Sequence, residues 1–259
     1  MHKFTWKRDL PDFRDIHYSS KRTYKLEQLP AAVDLRPKCS PVENQDQLGS
    51  CTSFSLAGAL EFLEEQSLLT AAVSPQIFVP KIYTPFSHLF IYYNERVVEG
   101  AINQDGGGQI RDGVKTLVDL GGCSETIWPY NESMVFTKPA DCAYQEALQH
   151  KISLYMRLDT LSDIKHCLAD GFPVCFGFTV YSSFEGPTVA STGIVTMPTM
   201  FEDCVGGHAV LAVGYDDSKQ MVIVRNSWGP NWGLQGYFEL PYAYISNPDL
   251  ASDFWTIRK

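Results

Sequence analysis

The chain changes its hydrophobic pattern near residue 150, and this change restricts the fold more than any other feature of the sequence. Residues 33–150 carry apolar side chains at helical spacing, as in the run from Cys51 to Leu69. Residues 151–259 contain short β-branched and aromatic segments separated by turn residues, including "PVCFGFTVY", "HAVLAVGY", "MVIVRNSW" and "GYFELP". Helices in one half and strands in the other predict an α+β fold of two lobes with a cleft between them.

Local signals place further elements within the two halves. "SHLFIYYNERVVEG" and "IRDGVKTLVDLGG" predict helices, and "DCAYQEALQHK" predicts a fourth helix or a connector between the lobes. In the second half, "TLSDIKHCLADG" predicts one helix with Ser162 as its N-cap and Gly171 at its end. "DDSK" predicts a hairpin turn between two strands.

The charge and the cysteine pattern argue against several classes of protein. The net charge of -9 argues against nucleic acid as a partner, because phosphate binding needs a basic face. No apolar run approaches the roughly 18 residues that span a bilayer, so no membrane partner is expected. No cysteine pair has C-x-x-C spacing, so neither a metal nor a redox motif is expected. The polar first twenty residues are no signal peptide, so we expect a cytoplasmic chain or a secreted form whose signal has been removed.

Three residues are candidates for catalysis, each with an ordinary structural alternative. Cys51 directly precedes a helical run, where unpaired N–H groups and the helix dipole favour a thiolate; the alternative is a small core residue. His208, in "CVGGHAVLAVGY", is either a strand-capping residue or a group close to a ligand. Asn226, in "VRNSWGPNWGLQGYFEL", either orients His208 beneath Trp228 or belongs to an aromatic, glycine-rich turn.

Four sequence blocks, in order, resemble those of the papain-like cysteine peptidases. They are the start of the mature domain, the cysteine block, the histidine block and the asparagine block: "VDLRPKCSPVENQ", "PVENQDQLGSCTSFS", "GGHAVLAVGYDD" and "RNSWGPNWGLQGYF". The resemblance covers residues 33–259 and is to a divergent, bacterial-type member of the family. It implies a papain-like fold, with a helical lobe at 33–150, an antiparallel β-barrel-like lobe at 151–259 and the active site in the cleft.

The resemblance also implies a role for each catalytic candidate. Cys51 would be the nucleophile, His208 its general acid and base, and Asn226 the residue that fixes the imidazole ring. Gln45 and the backbone N–H of Cys51 would form the oxyanion hole. A cysteine endopeptidase acting on peptide or protein substrates through a thioester, without a cofactor, is therefore the leading interpretation. The alternatives are an amidase or transferase with the same thioester, or a catalytically silent peptide-binding relative.

Substrate-binding residues are implied by the same resemblance. Two glycines in "QDGGGQIRD" match the wall that pairs with the substrate backbone, although a flexible loop is the alternative. Three small residues match the lining of the main specificity pocket, which would be roomy and apolar, and one tryptophan completes the set. These residues are Gly107 and Gly108 for the wall, Gly177, Ala209 and Ser252 for the pocket, and Trp228.

The chain departs from the family pattern at four positions near these groups. Leu48 stands in place of a disulfide cysteine, which implies that this disulfide is absent. Thr52 replaces the usual tryptophan after the nucleophile, and Gly207 replaces the aspartate before the histidine. Asp46 replaces the glycine after the glutamine.

The segment before the papain-like region also differs from the family. The resemblance implies a zymogen with a long helical propeptide, but only residues 1–32 precede "VDLR". These residues, called the strap below, carry apolar side chains without a regular period at Phe4, Trp6, Leu10 and Phe13. We predict that the strap blocks part of the cleft within the same chain. The alternative is a segment that packs on the back of a lobe.

Overall fold

The computed structural model describes residues 3–21, 29–71 and 83–259, so residues 1–2 and 22–28 of the strap lie outside the described residues. Its helices are α1 (Tyr18–Lys21), α2 (Cys51–Ala71), α3 (His88–Val98), α4 (Ile110–Asp119), α5 (Asp141–Ala147), α6 (Leu161–Ala169), α7 (Pro187–Thr192) and α8 (Tyr242–Ile245). Its strands are β1 (Ala32–Asp34), β2 (Leu154–Leu158), β3 (Val174–Tyr181), β4 (Cys204–Asp216), β5 (Met221–Arg225), β6 (Tyr237–Pro241) and β7 (Ala251–Arg258).

Helix α2 is the central element of the first half. It packs against α3 and α4 on one side and against β4 on the other. Its residues from Cys51 to Glu65 are buried without interruption, as expected for a helix that is covered all round. Ser87 caps the start of α3, because its Oγ accepts the N–H of Phe90. The helices predicted in this half are all present.

One antiparallel sheet forms the second half. The strand order is β2-β7-β3-β4-β5-β6, and β1 pairs with β4. The predicted strands and the hairpin turn between β4 and β5 are present, and the α+β prediction is confirmed. Among the described residues, β2 and β6 end this order, so the sheet is open and only resembles a barrel. None of the described helices is long and apolar enough to cross a membrane.

The N-cap of α6 differs from the prediction. Thr160, not Ser162, caps this helix, because its hydroxyl accepts the N–H of Asp163 at 3.1 Å. The Asp163 carboxylate in turn accepts the N–H of Thr160 at 3.2 Å. This reciprocal pair satisfies two N–H groups at the helix start, whereas Ser162 lies inside the first turn.

All seven cysteines lie in the described part of the chain, and none of them forms a disulfide. Leu48, in place of the family's disulfide cysteine, is buried in an apolar cluster that also contains Cys123. Packing of an aliphatic side chain therefore replaces a covalent link at this point.

A buried ionic cluster lies where the helical half meets the sheet. The Arg225 guanidinium, from β5, donates to the carbonyl oxygens of Ser40 and Pro41 at 2.6 and 2.7 Å. It also lies 3.9 Å from the Glu61 carboxylate on α2. His88 Nε2 lies 2.9 Å from Glu43 Oε2 in the same region. The charges in this cluster compensate one another, and of the four side chains only that of Glu43 is partly exposed.

His88 should make stability depend on pH. Burial lowers the pKa of His88, but the nearby carboxylates of Glu125, Glu43 and Glu61 outweigh burial and raise it to about 9. A raised histidine pKa contributes stability that is complete below the unfolded pKa of about 6.5 and disappears as the pH rises through 9. We expect the free energy of unfolding to fall more steeply over this interval than in His88→Gln. Urea unfolding of both proteins at about pH 6, 7.5 and 9 measures the difference. An equal decrease of the free energy of unfolding with pH in the two proteins would contradict the prediction.

Candidate active site

Cys51 is the first residue of α2 and is completely buried. Helix α2 packs against β4, and Ser55 Oγ on α2 donates to the carbonyl oxygen of Val210 on β4 at 2.7 Å, so the first turns of the helix meet the strand that carries His208. Burial raises the pKa of the Cys51 thiol to about 12; the N–H of Ala209 acts against this rise and the Glu95 carboxyl adds to it. The thiolate expected from the helix start is therefore disfavoured while Cys51 is covered, because the site excludes water.

The His208 ring is held by hydrogen bonding and by aromatic packing. Its Nε2 lies 2.8 Å from Asn226 Oδ1, which also accepts the N–H of Ser227 at 2.9 Å. A carbonyl oxygen accepts hydrogen bonds, so this contact assigns the proton of the neutral ring to Nε2. Trp228 stacks on the imidazole with centroids 5.2 Å apart, and Phe178 packs edge-on at 5.9 Å.

The Gln45 side chain is completely buried beside the same residues. Ser227 Oγ donates to Gln45 Oε1 at 2.5 Å, and Gln45 Nε2 donates to the carbonyl oxygen of Leu48 at 3.0 Å. The Tyr130 hydroxyl donates to the carbonyl oxygen of Gln45 at 2.7 Å. These contacts fix the amide plane, and the primary amide retains a second N–H.

The strap passes between the two halves of the molecule at this site. Thr5 pairs in parallel with Gly207, and the Trp6 N–H donates to the Gly207 carbonyl oxygen at 3.0 Å. One residue later, the Lys7 N–H donates to the Gly108 carbonyl oxygen at 3.1 Å. The strap therefore forms main-chain hydrogen bonds with both walls, as an extended peptide does when it binds along a groove.

Glycines let the strap approach this closely. A Cβ at Gly177 would lie 1.9 Å from the Trp6 indole, which is buried against it. A Cβ at Gly107, where φ is +73°, would lie 1.8 Å from the Thr5 carbonyl oxygen. At Gly207, a Cβ would lie 2.7 Å from Trp6 Cε3, so the family's aspartate would collide with this strap. The absence of a side chain therefore leaves room for the strap in the cleft at Gly107, Gly177 and Gly207.

The two other residues predicted for the specificity pocket have different surroundings. Ala209 and Ser252 each pair with Gly177, from β4 and β7. Ala209 is buried in the sheet beside His208. Ser252 is half-buried and lines a separate cavity of about 470 Å³ with Arg157 and Thr160. Among the three residues predicted for the pocket, Gly177 is the one that lies against the Trp6 indole.

The strap continues from the cleft to an ionic anchor at its far end. Asp15 pairs with Arg111 of α4 at 2.6 Å and lies 3.6 Å from Arg157 of β2. Asp9 accepts the indole N–H of Trp255 at 2.8 Å. The strap is thus held by helical and sheet residues together, so its docking depends on how the two halves are arranged.

Two neighbouring residues were not anticipated as part of the site. Thr52 Oγ1 donates at 2.6 Å to the carboxyl of Glu95, which is completely buried on α3. Burial raises the pKa of the Glu95 carboxyl well above its usual value, although the hydrogen bond from Thr52 acts in the opposite direction. The charged pair Glu95-Arg96, in a helical segment rich in aromatic residues, was the sequence signal that could have indicated this contact. Charged residues are rarely buried without a specific partner. Asp46 has φ +50°, which explains why the family has glycine there.

Comparisons with known proteins agree on one family. The sequence profile of the papain family of cysteine proteases matches residues 98–253. An uncharacterized peptidase C1-like protein of Acanthamoeba polyphaga mimivirus is 40% identical over 99% of this chain and 86% of that protein. Bovine pro-cathepsin H is 31% identical over 81% of this chain and 59% of that precursor.

The structural comparison gives the same result. The crystal structure of xylellain, a cysteine protease from Xylella fastidiosa, has a TM-score of 0.85 and 40% identity, and the match covers 99% of this chain and 96% of that one. Digestive procathepsin L 3 of Tenebrio molitor shares the fold at 24% identity, with a TM-score of 0.69 over 95% of this chain and 74% of that one. The chain belongs to the papain family of cysteine proteases. It is a peptide hydrolase, and the resemblance inferred from its sequence blocks is confirmed.

Proposed function

We propose that the chain is a cysteine endopeptidase in which Cys51 and His208 form the catalytic pair. The observation that carries this proposal is the packing of α2, which begins at the buried Cys51, against β4, where Ser55 Oγ of α2 donates to the carbonyl oxygen of Val210 at 2.7 Å. The His208–Asn226 hydrogen bond of 2.8 Å supports it, because a general base needs a residue that orients it. Residues 33–259 would form the peptidase domain.

The reaction would proceed through successive proton transfers at one ring nitrogen. With Nε2 held by Asn226, Nδ1 of His208 would take the Cys51 proton. The thiolate would attack a peptide carbonyl carbon, and the imidazolium would then protonate the leaving amine. A water molecule, deprotonated by the same nitrogen, would hydrolyse the thioester and regenerate the thiol. Trp228 would keep bulk water from the His208–Asn226 hydrogen bond.

The oxyanion of the tetrahedral intermediate would be stabilised by two donors. One is the backbone N–H of Cys51 at the start of α2, and the other is the second N–H of the Gln45 amide. The contacts of Gln45 with Ser227 and Leu48 would hold that amide in place before the reaction begins. Loss of one such donor typically costs about a hundred- to a thousandfold in rate.

The strap would keep the enzyme inactive until it is displaced, which makes the described arrangement a zymogen. Trp6 fills the space beside Gly177, and the strap occupies hydrogen-bonding groups at Gly108 and Gly207 that a substrate backbone would use. Phe4 packs edge-on against His208 with centroids 6.1 Å apart. Peptide or protein substrates would therefore compete with residues 4–7 for the same walls.

Replacing Cys51 tests the proposal directly. We expect Cys51→Ala to abolish peptide hydrolysis while the free energy of unfolding changes little, because alanine fits the space of a buried cysteine. A thiol-directed epoxide, followed by mass mapping, should label Cys51 in the parent protein. The matched control is Cys175→Ala, which removes another completely buried thiol in contact with α2 and should retain turnover. Peptide hydrolysis by Cys51→Ala would refute the assignment.

The same assays separate the alternatives. A catalytically silent peptide-binding relative would bind peptides without hydrolysing them, and a transferase would give amide products when amines are added. Hydrolysis products with and without an added amine nucleophile, analysed by mass spectrometry, distinguish these outcomes.

A further inference from the structure

We propose that Glu99 and Asp105 select basic side chains on the peptides that enter the cleft. This inference deepens the proposed function and rests on it. It treats residues 3–7 of the strap as an extended peptide already bound between the two walls. The substrate class would be extended segments in which basic residues alternate with bulky apolar residues.

The strap places alternate side chains on opposite walls, as a strand does. Phe4 and Trp6 face β4 and β3, where they meet His208 and Gly177. Lys3, Thr5 and Lys7 face the other wall. There the Thr5 hydroxyl donates to the Gly49 carbonyl oxygen at 3.1 Å, and the two lysines pair with carboxylates. One wall therefore takes aromatic side chains and the other takes cationic ones.

The Glu99 carboxylate is oriented by a hydrogen bond from the cleft wall on which it lies. Its Oε1 accepts the backbone N–H of Gln109 at 2.7 Å, and its Oε2 pairs with Lys7 Nζ at 2.8 Å. Lys7 Nζ also donates to the Gly107 carbonyl oxygen at 3.4 Å. One carboxylate oxygen thus fixes the orientation, and the other is available to whatever chain lies in the cleft.

Asp105 repeats this arrangement beside Gly49, which precedes Cys51 by two residues. Its Oδ1 accepts the N–H of Gly49 at 2.9 Å and the Tyr92 hydroxyl at 2.7 Å, and its Oδ2 pairs with Lys3. Burial raises the pKa of Asp105, but the hydrogen bonds from Lys3, Tyr92 and Gly49 outweigh burial and lower it, so the anion is favoured. Its side chain is 9% exposed and that of Glu99 is 10% exposed.

Such preoriented, largely buried carboxylates discriminate more strongly than flexible surface charges. An exposed ion pair contributes little, because both side chains lose entropy and water screens the charges. Here the protein has already oriented both carboxylates, and a peptide without a cation would leave them partly desolvated and unpaired. A basic side chain in these positions should therefore favour binding over an uncharged one of equal length.

The test uses the full-length chain with Trp6→Ala, which loosens the strap. Two peptides serve as ligands, both acetylated at the N-terminus and amidated at the C-terminus. The first is KFTWKR, and in the second norleucine replaces both lysines. Norleucine retains the aliphatic stem and removes the charge. Binding to the Cys51→Ala, Trp6→Ala chain is measured by calorimetry. For turnover by the Trp6→Ala chain, matched longer substrates carry lysine or norleucine at one position at a time.

We expect the lysine peptide to bind about tenfold more tightly, as one charge contact of about 1.4 kcal/mol with a preoriented carboxylate would give. Glu99→Gln, which retains the contact to Gln109, should reduce this preference severalfold. Asp119→Asn removes a charge from an exposed site on the same half and should leave it unchanged. Equal binding of the two peptides, or an unchanged preference in Glu99→Gln, would overturn the inference.

Turnover separates this inference from the proposed function. Hydrolysis without a preference for lysine would refute the selection of basic residues and leave the peptidase assignment intact. Charge-dependent binding together with an absence of hydrolysis and of Cys51 alkylation would refute the peptidase assignment and support the carboxylate wall.

Discussion

Replacing Trp6 by alanine is expected to raise kcat/KM of the full-length chain toward peptides by roughly ten- to a hundredfold. The indole is 7% exposed and lies against Gly177, so its removal takes most of the apolar contact from the strap. Truncation of a packed tryptophan typically costs about 3–5 kcal/mol. Even half of that loss from strap docking would increase the open fraction by more than tenfold.

Thiol reactivity gives a second measure of the same opening. Burial raises the pKa of Cys51 in the covered site, so removal of the cover should lower it and accelerate epoxide alkylation at neutral pH. The control is Phe13→Ala, because Phe13 belongs to the same strap but is 98% exposed. We expect Phe13→Ala to leave both kcat/KM and the rate of Cys51 alkylation unchanged. Unchanged kinetics and alkylation in a stable Trp6→Ala protein would refute inhibition by the strap.

Replacing Arg225 by leucine should cost about 3–5 kcal/mol of the free energy of unfolding. The guanidinium is buried and satisfies the carbonyl oxygens of Ser40 and Pro41, as well as the Ser40 hydroxyl at 2.9 Å. Leucine would leave these oxygens buried without a donor, and it would remove the cation next to Glu61. Urea unfolding at neutral pH measures the loss.

A surface pair provides the matched comparison for Arg225. Lys219 pairs with Glu239 at 2.7 Å but is 53% exposed, so Lys219→Met should cost no more than about 1 kcal/mol. A loss below about 1.5 kcal/mol in Arg225→Leu would show that water or neighbouring groups satisfy these oxygens instead.

Much of the fold was predictable because its signals are local. The helical run that begins at Cys51 and the strand that carries His208 depend on the spacing of apolar side chains within one segment. The N-cap of α6 was placed two residues late, because Thr160 and Ser162 are both good capping residues. The reciprocal bond to Asp163 that selects Thr160 becomes visible only in three dimensions.

The candidate site was predictable in its residue types and less so in its electrostatics. The helix start argued for a lowered thiol pKa at Cys51, but the covered site raises it, because burial acts on the same group more strongly. The bond between Thr52 and Glu95 joins residues 43 positions apart, so no local pattern could indicate it. The path of the strap was likewise left between two alternatives.

The sequence by itself determined the family, the α+β class and the helix and strand that carry Cys51 and His208, because short blocks and hydrophobic periods encode these features. The tertiary structure decided that residues 4–7 lie in the cleft and that lysines of the strap meet Glu99 and Asp105. It also decided that Arg225 joins the sheet to the segment before α2. The physical reason is that burial, charge pairing and close backbone approach arise between residues far apart in the chain, and only the folded arrangement brings them together.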